Sequence, residues 1–267
     1  MMGAGSMTRR RLAGLTLPAL SVIGFIALWQ IVVELRGIPP IYLPAPSAIA
    51  KALSQMALDG TLWINLAVTV LRIFAGFTVA AVCGVALGLL MGRSYIVAQI
   101  ADPWLAALYP LPKISLIPLM IIWLGTGETY NVAMSAISAF FPIVLSTYAG
   151  VLQVDQGLVL AARDLGASPR QIQAKVILPA AIPHIFNGLH LGMGVTIILV
   201  VAAEMIGGSD QTGMGYLLIN AGQVMDTDKV FASLVVMAVV GAVIIKLQRF
   251  IDRKAAPWAV NAGASRE

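Results

Sequence analysis

The sequence predicts an all-α integral membrane protein with about six transmembrane helices, and three observations lead there. The first is composition. Hydrophobic residues make up 59% of the 267 and charged ones only 11%, with a mean hydropathy of +0.90, well outside the range of a soluble domain. The second is a set of charge-free runs over 12–33, 73–92, 129–154 and 176–203. Each reaches the roughly 20 residues that cross a bilayer core. The run 230–245 is a little shorter, and 94–127 holds further membrane sequence interrupted by Asp102 and Lys113. The third is the distribution of the net charge of +5, which follows membrane sides and is no nucleic-acid footprint. Six spans put Arg9, Arg10, Arg11, Arg93, Arg163, Arg170, Lys175, Lys246, Arg249, Arg253 and Lys254 on one side. They leave Arg36, Lys51, Arg72 and Lys229 on the other, with Asp210, Asp226 and Asp228. The positive-inside rule then makes the first side cytosolic, with both termini in the cytosol.

Taken in order, Arg9-Arg10-Arg11 followed by apolar sequence resembles a signal peptide. The apolar stretch is too long for one, and Glu34-Leu35-Arg36 offers no small-residue cleavage site. It is therefore expected as a retained first span, with 1–6 as an extension ahead of a native start at Met7. The external loop 37–46 carries Pro39, Pro40, Pro44 and Pro46 and must be extended. Ser47 is expected to cap a short surface helix ending near Met56. In the second span Gly76, Ala80, Gly84, Gly88 and Gly92 recur every four residues, a stripe that lets helix backbones approach closely. Such a stripe serves packing within the chain or a seam between two chains, the first being preferred. The single cysteine, Cys83, lies mid-span, so no disulfide framework exists within one chain.

The third span is expected to be broken at Tyr109-Pro110-Leu111-Pro112-Lys113. Irregular backbone at membrane depth is tolerated only against protein or a water-filled cavity. Lys113, with Tyr109 beside it, either lines a path or snorkels to an interface. Farther on, Ala161-Ala162-Arg163-Asp164-Leu165-Gly166-Ala167-Ser168-Pro169-Arg170-Gln171 is a charged island between apolar runs. Gly166 suits the left-handed end of one helix; Ser168, Pro169 and Gln171 supply the N-cap, first position and capping box of the next. The result is a rigid knob on which a soluble partner can push. Glu204 follows seven uncharged residues, and carboxylates so placed face a cavity or hold a partner. A gate or pathway role is preferred over a structural hydrogen bond. After it, Gly207 and Gly208 release the helix, and Gly213-Met214-Gly215-Tyr216-Leu217 is expected as a mobile lid.

Several chemistries have no residues to carry them. No G-x-x-x-x-G-K-[ST] pattern is present, so there is no P-loop for nucleotide phosphates. His184 and His190 are six apart, not at ligand spacing, and with one cysteine a metal site is not expected. Both histidines read as ordinary helix residues near the cytosolic boundary. A serine–histidine arrangement for an intramembrane hydrolase is not evident.

The island resembles the cytoplasmic "EAA" signature of permease subunits of ATP-binding-cassette (ABC) importers: E-A-A, three residues, G, nine residues, I-x-L-P. Leu160-Ala161-Ala162, Gly166 and Val176-Ile177-Leu178-Pro179 stand at that spacing. Leu160 replaces the glutamate, removing a charge, and Val176 replaces the isoleucine conservatively. Leu116-Ile117-Pro118-Leu119-Met120-Ile121-Ile122-Trp123-Leu124-Gly125 looks like the third-span signature of the nitrate, sulfonate and taurine branch. Phe141-Pro142, Ala203-Glu204-Met205-Ile206-Gly207 and Gly213-Met214-Gly215-Tyr216-Leu217 are similar to it as well. The resemblance runs from about Leu66 to Trp258.

The resemblance implies a type I importer permease fold. Residues 1–64 would be the tail, first helix and Pro-rich loop, 65–250 the transmembrane domain with a coupling helix at 160–179, and 251–267 a cytosolic tail. Ala161, Ala162, Arg163, Asp164, Gly166, Ala167, Ser168, Pro169 and Arg170 would dock on a separate ATPase subunit, present twice, which binds the ATP. Glu204, Met205, Lys113 and Tyr109 are the candidates for the path or gate. The chain itself would need no cofactor and catalyse no reaction. A permease homodimer in a bacterial inner membrane would receive a small anionic solute, such as a sulfonate, taurine, nitrate or bicarbonate, from an extracytoplasmic binding protein. Two other classes stand beside this: a self-sufficient secondary transporter, for which inverted repeats are not visible, and a membrane enzyme, for which no catalytic constellation is found.

Overall fold

The structure, a computed structural model, describes residues 4–207 and 211–257; the side chains of residues 4–16, 18, 19 and 255 fall outside the description. The charges of Arg9, Arg10, Arg11 and Asp210, and the C-terminal stretch from Trp258, therefore lie outside the described residues. The chain divides into two compact units, Met1–Leu62 with Leu218–Val235, and Trp63–Leu217 with Val236–Glu267.

In the first unit, α1 (Ala4–Arg36) is one continuous helix of 33 residues. Leu20, Ile23, Phe25, Leu28 and Ile31 are exposed, as suits a lipid-facing helix, while Val33 is buried and Trp29 and Gln30 half-buried on the face toward α2. α2 (Pro46–Leu58) is amphipathic, burying Ile49, Ala52 and Met56. Ser47 does not cap it. The helix starts one residue earlier because Pro46 has its φ preset and lacks an N–H that would need a partner. Ser47 instead binds back to α1: its Oγ accepts from Gln30 Nε2, and its N–H donates to Gln30 Oε1, both at 3.0 Å. Trp29 and Phe231 meet at 5.9 Å between ring centroids.

The second unit holds α3 (Thr61–Arg93, from Trp63), α4 (Tyr95–Leu108), α5 (Ile117–Leu124), α6 (Glu128–Leu152), α7 (Gln156–Asp164), α8 (Pro169–Ile172), α9 (Leu178–Gly207), the start of α10 (Met214–Gln223) and the greater part of α11 (Thr227–Ala255). Among the described residues four continuous stretches are long and apolar enough to cross a membrane: α3, α6, Pro169–Gly207 and α11. α4 and the segment Lys113–Leu124 are apolar enough to make a fifth only if taken together as one broken span, bent by 92°. The sixth expected span is the charge-free run 12–33, which falls within α1. The bend falls where Pro110 and Pro112 cannot continue a helix, and a 3-10 turn (Lys113–Leu116) bridges it.

α6 runs alongside α9 and packs on the small-residue face of α3. A Cβ added at Gly76 would lie 2.2 Å from Ser135 Cβ, and one at Gly88 would lie 2.6 Å from Thr147 Cβ. The stripe is thus a groove for α6 within the chain. Across it Ala80, Ala139 and Ile143 form a buried cluster, and Ile73, Met193, Val200 and Ile244 bring α3, α9 and α11 together. A π-helical turn (Gln173–Ile177) precedes α9. Pro179 explains it, since its ring displaces the carbonyl four residues back and widens the ladder.

Candidate functional site

The charged island folds as expected from its local chemistry. Asp155 caps α7 by accepting from Gly157 N–H at 2.7 Å, and the helix stops at Gly166, whose φ is +82°. Ser168 and Gln171 form a reciprocal capping box at α8: Ser168 N–H donates to Gln171 Oε1 at 2.8 Å, and Gln171 N–H to Ser168 Oγ at 3.4 Å. Ala161, Arg163, Asp164, Gly166, Ser168, Pro169 and Arg170 are exposed, while Ala162 and Ala167 are half-buried. Leu165 at the tip is 88% exposed, and Leu158 and Leu160 of α7 are exposed too. The glutamate position of the motif, filled by Leu160, therefore enlarges an apolar surface on a knob whose backbone is held by its own caps. Such exposed leucines on a rigid support are what a docking surface presents.

A second constellation is buried. Glu204 is fully buried near the C-terminal end of α9 and pairs with Arg72 Nη1 of α3 at 2.9 Å. Arg72, 2% exposed, also binds Glu128 of α6, with Nε donating at 3.0 Å, and gives a further bond from Nη1 to the Thr212 carbonyl at 3.0 Å. Arg72, counted among the outer-side charges, is thus a buried helix residue and not an exposed loop charge. α3 begins at Thr61, so Arg72 lies three turns inside it, held by two carboxylates. Thr69 Oγ1 donates to Glu204 at 2.9 Å and accepts from Met214 N–H at 2.8 Å. Gly215 N–H donates to Glu204 Oε2 at 2.9 Å, and Gly213 N–H to Asn65 Oδ1 at 2.7 Å.

These bonds satisfy the first amides of α10, which have no partner within their own helix. They also correct the lid. Gly213-Met214-Gly215 is the pinned start of a helix, and its glycines are there for closeness. At Gly213, with φ +110°, an added Cβ would lie 2.5 Å from Glu204 Cδ; at Gly215 it would lie 2.3 Å from the Val201 carbonyl oxygen. Four elements, α3, α6, α9 and the start of α10, thus meet at the buried Arg72–Glu204 pair, with the more exposed Glu128 of α6 on its outer side. Met205, beside it, is half-buried.

The break between α4 and α5 is a third place of interest, separate from the Glu204 cluster. Lys113 Nζ donates to the Tyr109 carbonyl and lies 4.9 Å from the Tyr109 ring centroid and 5.0 Å from that of Phe141. His190 Nε2 lies 3.1 Å from Asp252 Oδ2, joining α9 to α11, and His184 packs on Gly150. Both histidines serve packing between helices. Among the described residues no cluster of three metal-ligating side chains is present.

The sequence singled out Glu204, Met205, Lys113 and Tyr109, of which only Glu204 belongs to this cluster; Asn65, Thr69, Arg72 and Glu128, which hold it, were not singled out. The one available signal was Arg72 itself: 61–73 contains no helix breaker, so the helix of the second span could be extended back through it.

Comparison with known proteins gives the same fold. The family model described as "Binding-protein-dependent transport system inner membrane component" matches residues 84–257. The taurine transport system permease protein TauC of Escherichia coli (strain K12) is 36% identical over 238 residues, 87% of this chain and 86% of the relative. A Bacillus subtilis (strain 168) protein named for aliphatic sulfonates transport, SsuC, is 36% identical over 245 residues, 92% of this chain and 87% of that one. Among solved structures, an amino acid ABC transporter chain aligns with a TM-score of 0.58 at 20% identity, covering 76% of this chain and 97% of its own. A chain of the inward-facing MetNI methionine ABC transporter aligns at 0.54 and 21% identity, covering 72% and 93%. The chain belongs to the binding-protein-dependent transport system inner membrane component family, and is a multi-pass permease subunit of an ABC importer, not an enzyme.

Proposed function

We propose that this permease forms half of the translocation path for a small anionic solute, as a homodimer driven by two ATPase subunits and fed by an external solute-binding protein. The observation that carries the reading is the knob. α7 and α8 project exposed leucines and charges on a capped, glycine-pivoted frame, in a chain without a P-loop. A chain that cannot hold ATP needs such a surface to receive the work of one that can. Residues 160–179 are the coupling segment, with Ala161 to Arg170 its contact surface, and ATP is bound by the partner. Both termini lie in the cytosol with the knob, as the arginine and lysine distribution favours. The transmembrane domain is 65–250, flanked by 1–64 and 251–267.

Anionic solutes are supported by the names of the two relatives, taurine and aliphatic sulfonates. On this orientation the Arg72–Glu204–Glu128 group sits toward the outer face. There its charge serves the gate, while Asn65, Thr69 and Glu204 keep the start of α10 on α3 and α9. Lys113, Tyr109 and Met205 lie along the path.

Copy number and docking are tested together by mixing the purified chain with its ATPase subunit in detergent. The native mass should show two permease chains with two ATPases, and a photo-crosslinker at Arg163 should capture the ATPase. One permease chain per two ATPases, or crosslinks that avoid the knob, would contradict the proposal.

A further inference from the structure

We infer that the end of α1, α2 and the turn before α11 bind one phospholipid with a primary-ammonium headgroup, of the phosphatidylethanolamine class. Two cavities within this compact unit supply the parts. One is apolar, about 470 Å³, walled by Phe25, Leu28 and Val32 of α1 with Leu43 and Phe231. The other, about 340 Å³, is walled by Lys51 and Gln55 of α2 with Asp226, Asp228 and Lys229. Asp228 and Phe231, one from each cavity, stand three residues apart on one face of α11, so the apolar cavity begins about one turn deeper than the polar one. Depth fits a lipid. The charge-free run 12–33 of α1 ends just before Glu34 and Arg36, which mark the membrane surface. α2 starts beside that end, held by the 3.0 Å bonds between Ser47 and Gln30, and Thr227 Oγ1 donates to the Ile41 carbonyl at 3.0 Å. The polar cavity therefore lies at headgroup level and the apolar one at acyl level. Tyr42 and Leu58, 77% and 88% exposed, flank α2 as residues at a lipid interface do.

Charge decides the headgroup. The polar cavity carries two cations and two carboxylates, so it suits a ligand with both signs and no net charge. Asp226 and Lys229 already pair at 2.9 Å. Lys51 is exposed and Asp228 half-buried, and among the described residues neither forms an ion pair. Asp228 Oδ1 is moreover buried without a donor, which leaves the carboxylate short of partners. An ethanolamine ammonium brings three N–H donors to the cavity side of Asp228, and the phosphate next to it accepts from Lys51 and the Gln55 amide. A choline headgroup has the same charges but no N–H, and a glycerol headgroup has no cation. The site therefore ranks the primary ammonium above both. A free zwitterion would satisfy the polar cavity alone; the apolar cavity beneath it and the depth of both favour a lipid.

The inference does not depend on which solute the permease carries, and lipid binding tests it directly. The full chain, stripped of lipid in a nonionic detergent, is titrated with dioleoyl phosphatidylethanolamine, phosphatidylcholine or phosphatidylglycerol and weighed by native mass spectrometry. Phosphatidylethanolamine should add one saturable lipid mass at roughly a tenth of the concentration that the other two need, the factor that one charge-assisted hydrogen bond supplies. Asp228→Asn should bring phosphatidylethanolamine down to the level of phosphatidylcholine, and Lys51→Gln should weaken all three. The wild-type ranking of headgroups stands as a test even where a variant fails to fold. Equal binding of the three lipids, or a preference for phosphatidylethanolamine kept in folded Asp228→Asn, would overturn the site. So would displacement of the lipid by glycerophosphoethanolamine or taurine at the lipid's own concentration, which would make it a site for soluble zwitterions.

Discussion

Replacing Glu204 by glutamine keeps the shape of the side chain and removes one charge from a group that the structure closes almost completely. Glu204 accepts from Arg72, Thr69 and Gly215, and it is fully buried. Removing one partner of a buried ion pair costs about 3–5 kcal/mol, because the other charge is left without compensation. Arg72 keeps Glu128, so the lower end, about 3 kcal/mol, applies. Glutamine also turns one acceptor into an N–H₂ that faces donors, since both Thr69 Oγ1 and Gly215 N–H donate to this carboxylate. The loss should fall on the start of α10, whose Gly213 and Met214 amides are held to α3 and whose Gly215 amide is held to Glu204. Hydrogen exchange of the Gly213, Met214 and Gly215 amides should quicken by roughly 100-fold, the factor that a local opening cheaper by about 3 kcal/mol produces. Docking of the ATPase at the distant knob should be unchanged, while ATP hydrolysis and solute delivery lose their tight coupling. Parental exchange at those amides, with parental uptake and stimulated hydrolysis, would refute both the latch and its gating role.

Gly166→Val puts a β-branched side chain at φ +82°, a strain of about 1–2 kcal/mol; co-purification of the ATPase should drop while the helix content of the chain in detergent stays constant. Ser168→Ala removes half of the capping box and should cost about 1 kcal/mol locally, read as faster exchange at the Gln171 amide. Gly88→Leu drives a side chain into Thr147 and Val144 and should prevent α3 from seating on α6, seen as a loss of folded, monodisperse protein. In Asp226, burial raises the carboxyl pKa, but the Lys229 ammonium and amide lower it further, so the net value lies below 3.8. A depressed folded pKa means that its contribution to stability is present above the ordinary carboxylate value and fades as pH falls through the lower folded one. Carbon-13 titration of Asp226 should accordingly show a midpoint under 3.8. A midpoint above it would show that the contact with Lys229 does not form.

What could be read from the sequence was whatever is decided by neighbours in the chain. Gly166, Ser168, Pro169 and Gln171 fix the knob through bonds that reach no more than five residues. Pro110 and Pro112 break the third span by lacking N–H groups, and the stripe from Gly76 to Gly92 has a period that only a helix explains. Arg72 and Glu204 are 132 residues apart, and nothing near either names the other. A charge at the edge of an apolar run looks the same whether it faces water or a buried carboxylate. The same gap produced the lid. Gly213 and Gly215 suggest flexibility locally, whereas their lack of side chains makes room for Glu204 and the Val201 carbonyl. Ser47 was misplaced for a smaller reason: Pro46 starts α2 without a side-chain cap, which frees Ser47 for Gln30.

The central claim is that this chain moves solute only when a separate ATPase works on it through the α7–α8 knob. The purified chain should be sealed into liposomes, with ATP at the knob side and a radiolabelled sulfonate on the other. Uptake should be at background for the chain alone, appear when the ATPase and binding protein are added, and be lost again with Gly166→Val in the otherwise complete system. Uptake by the chain alone, driven by ATP or by a solute or ion gradient, would contradict the account.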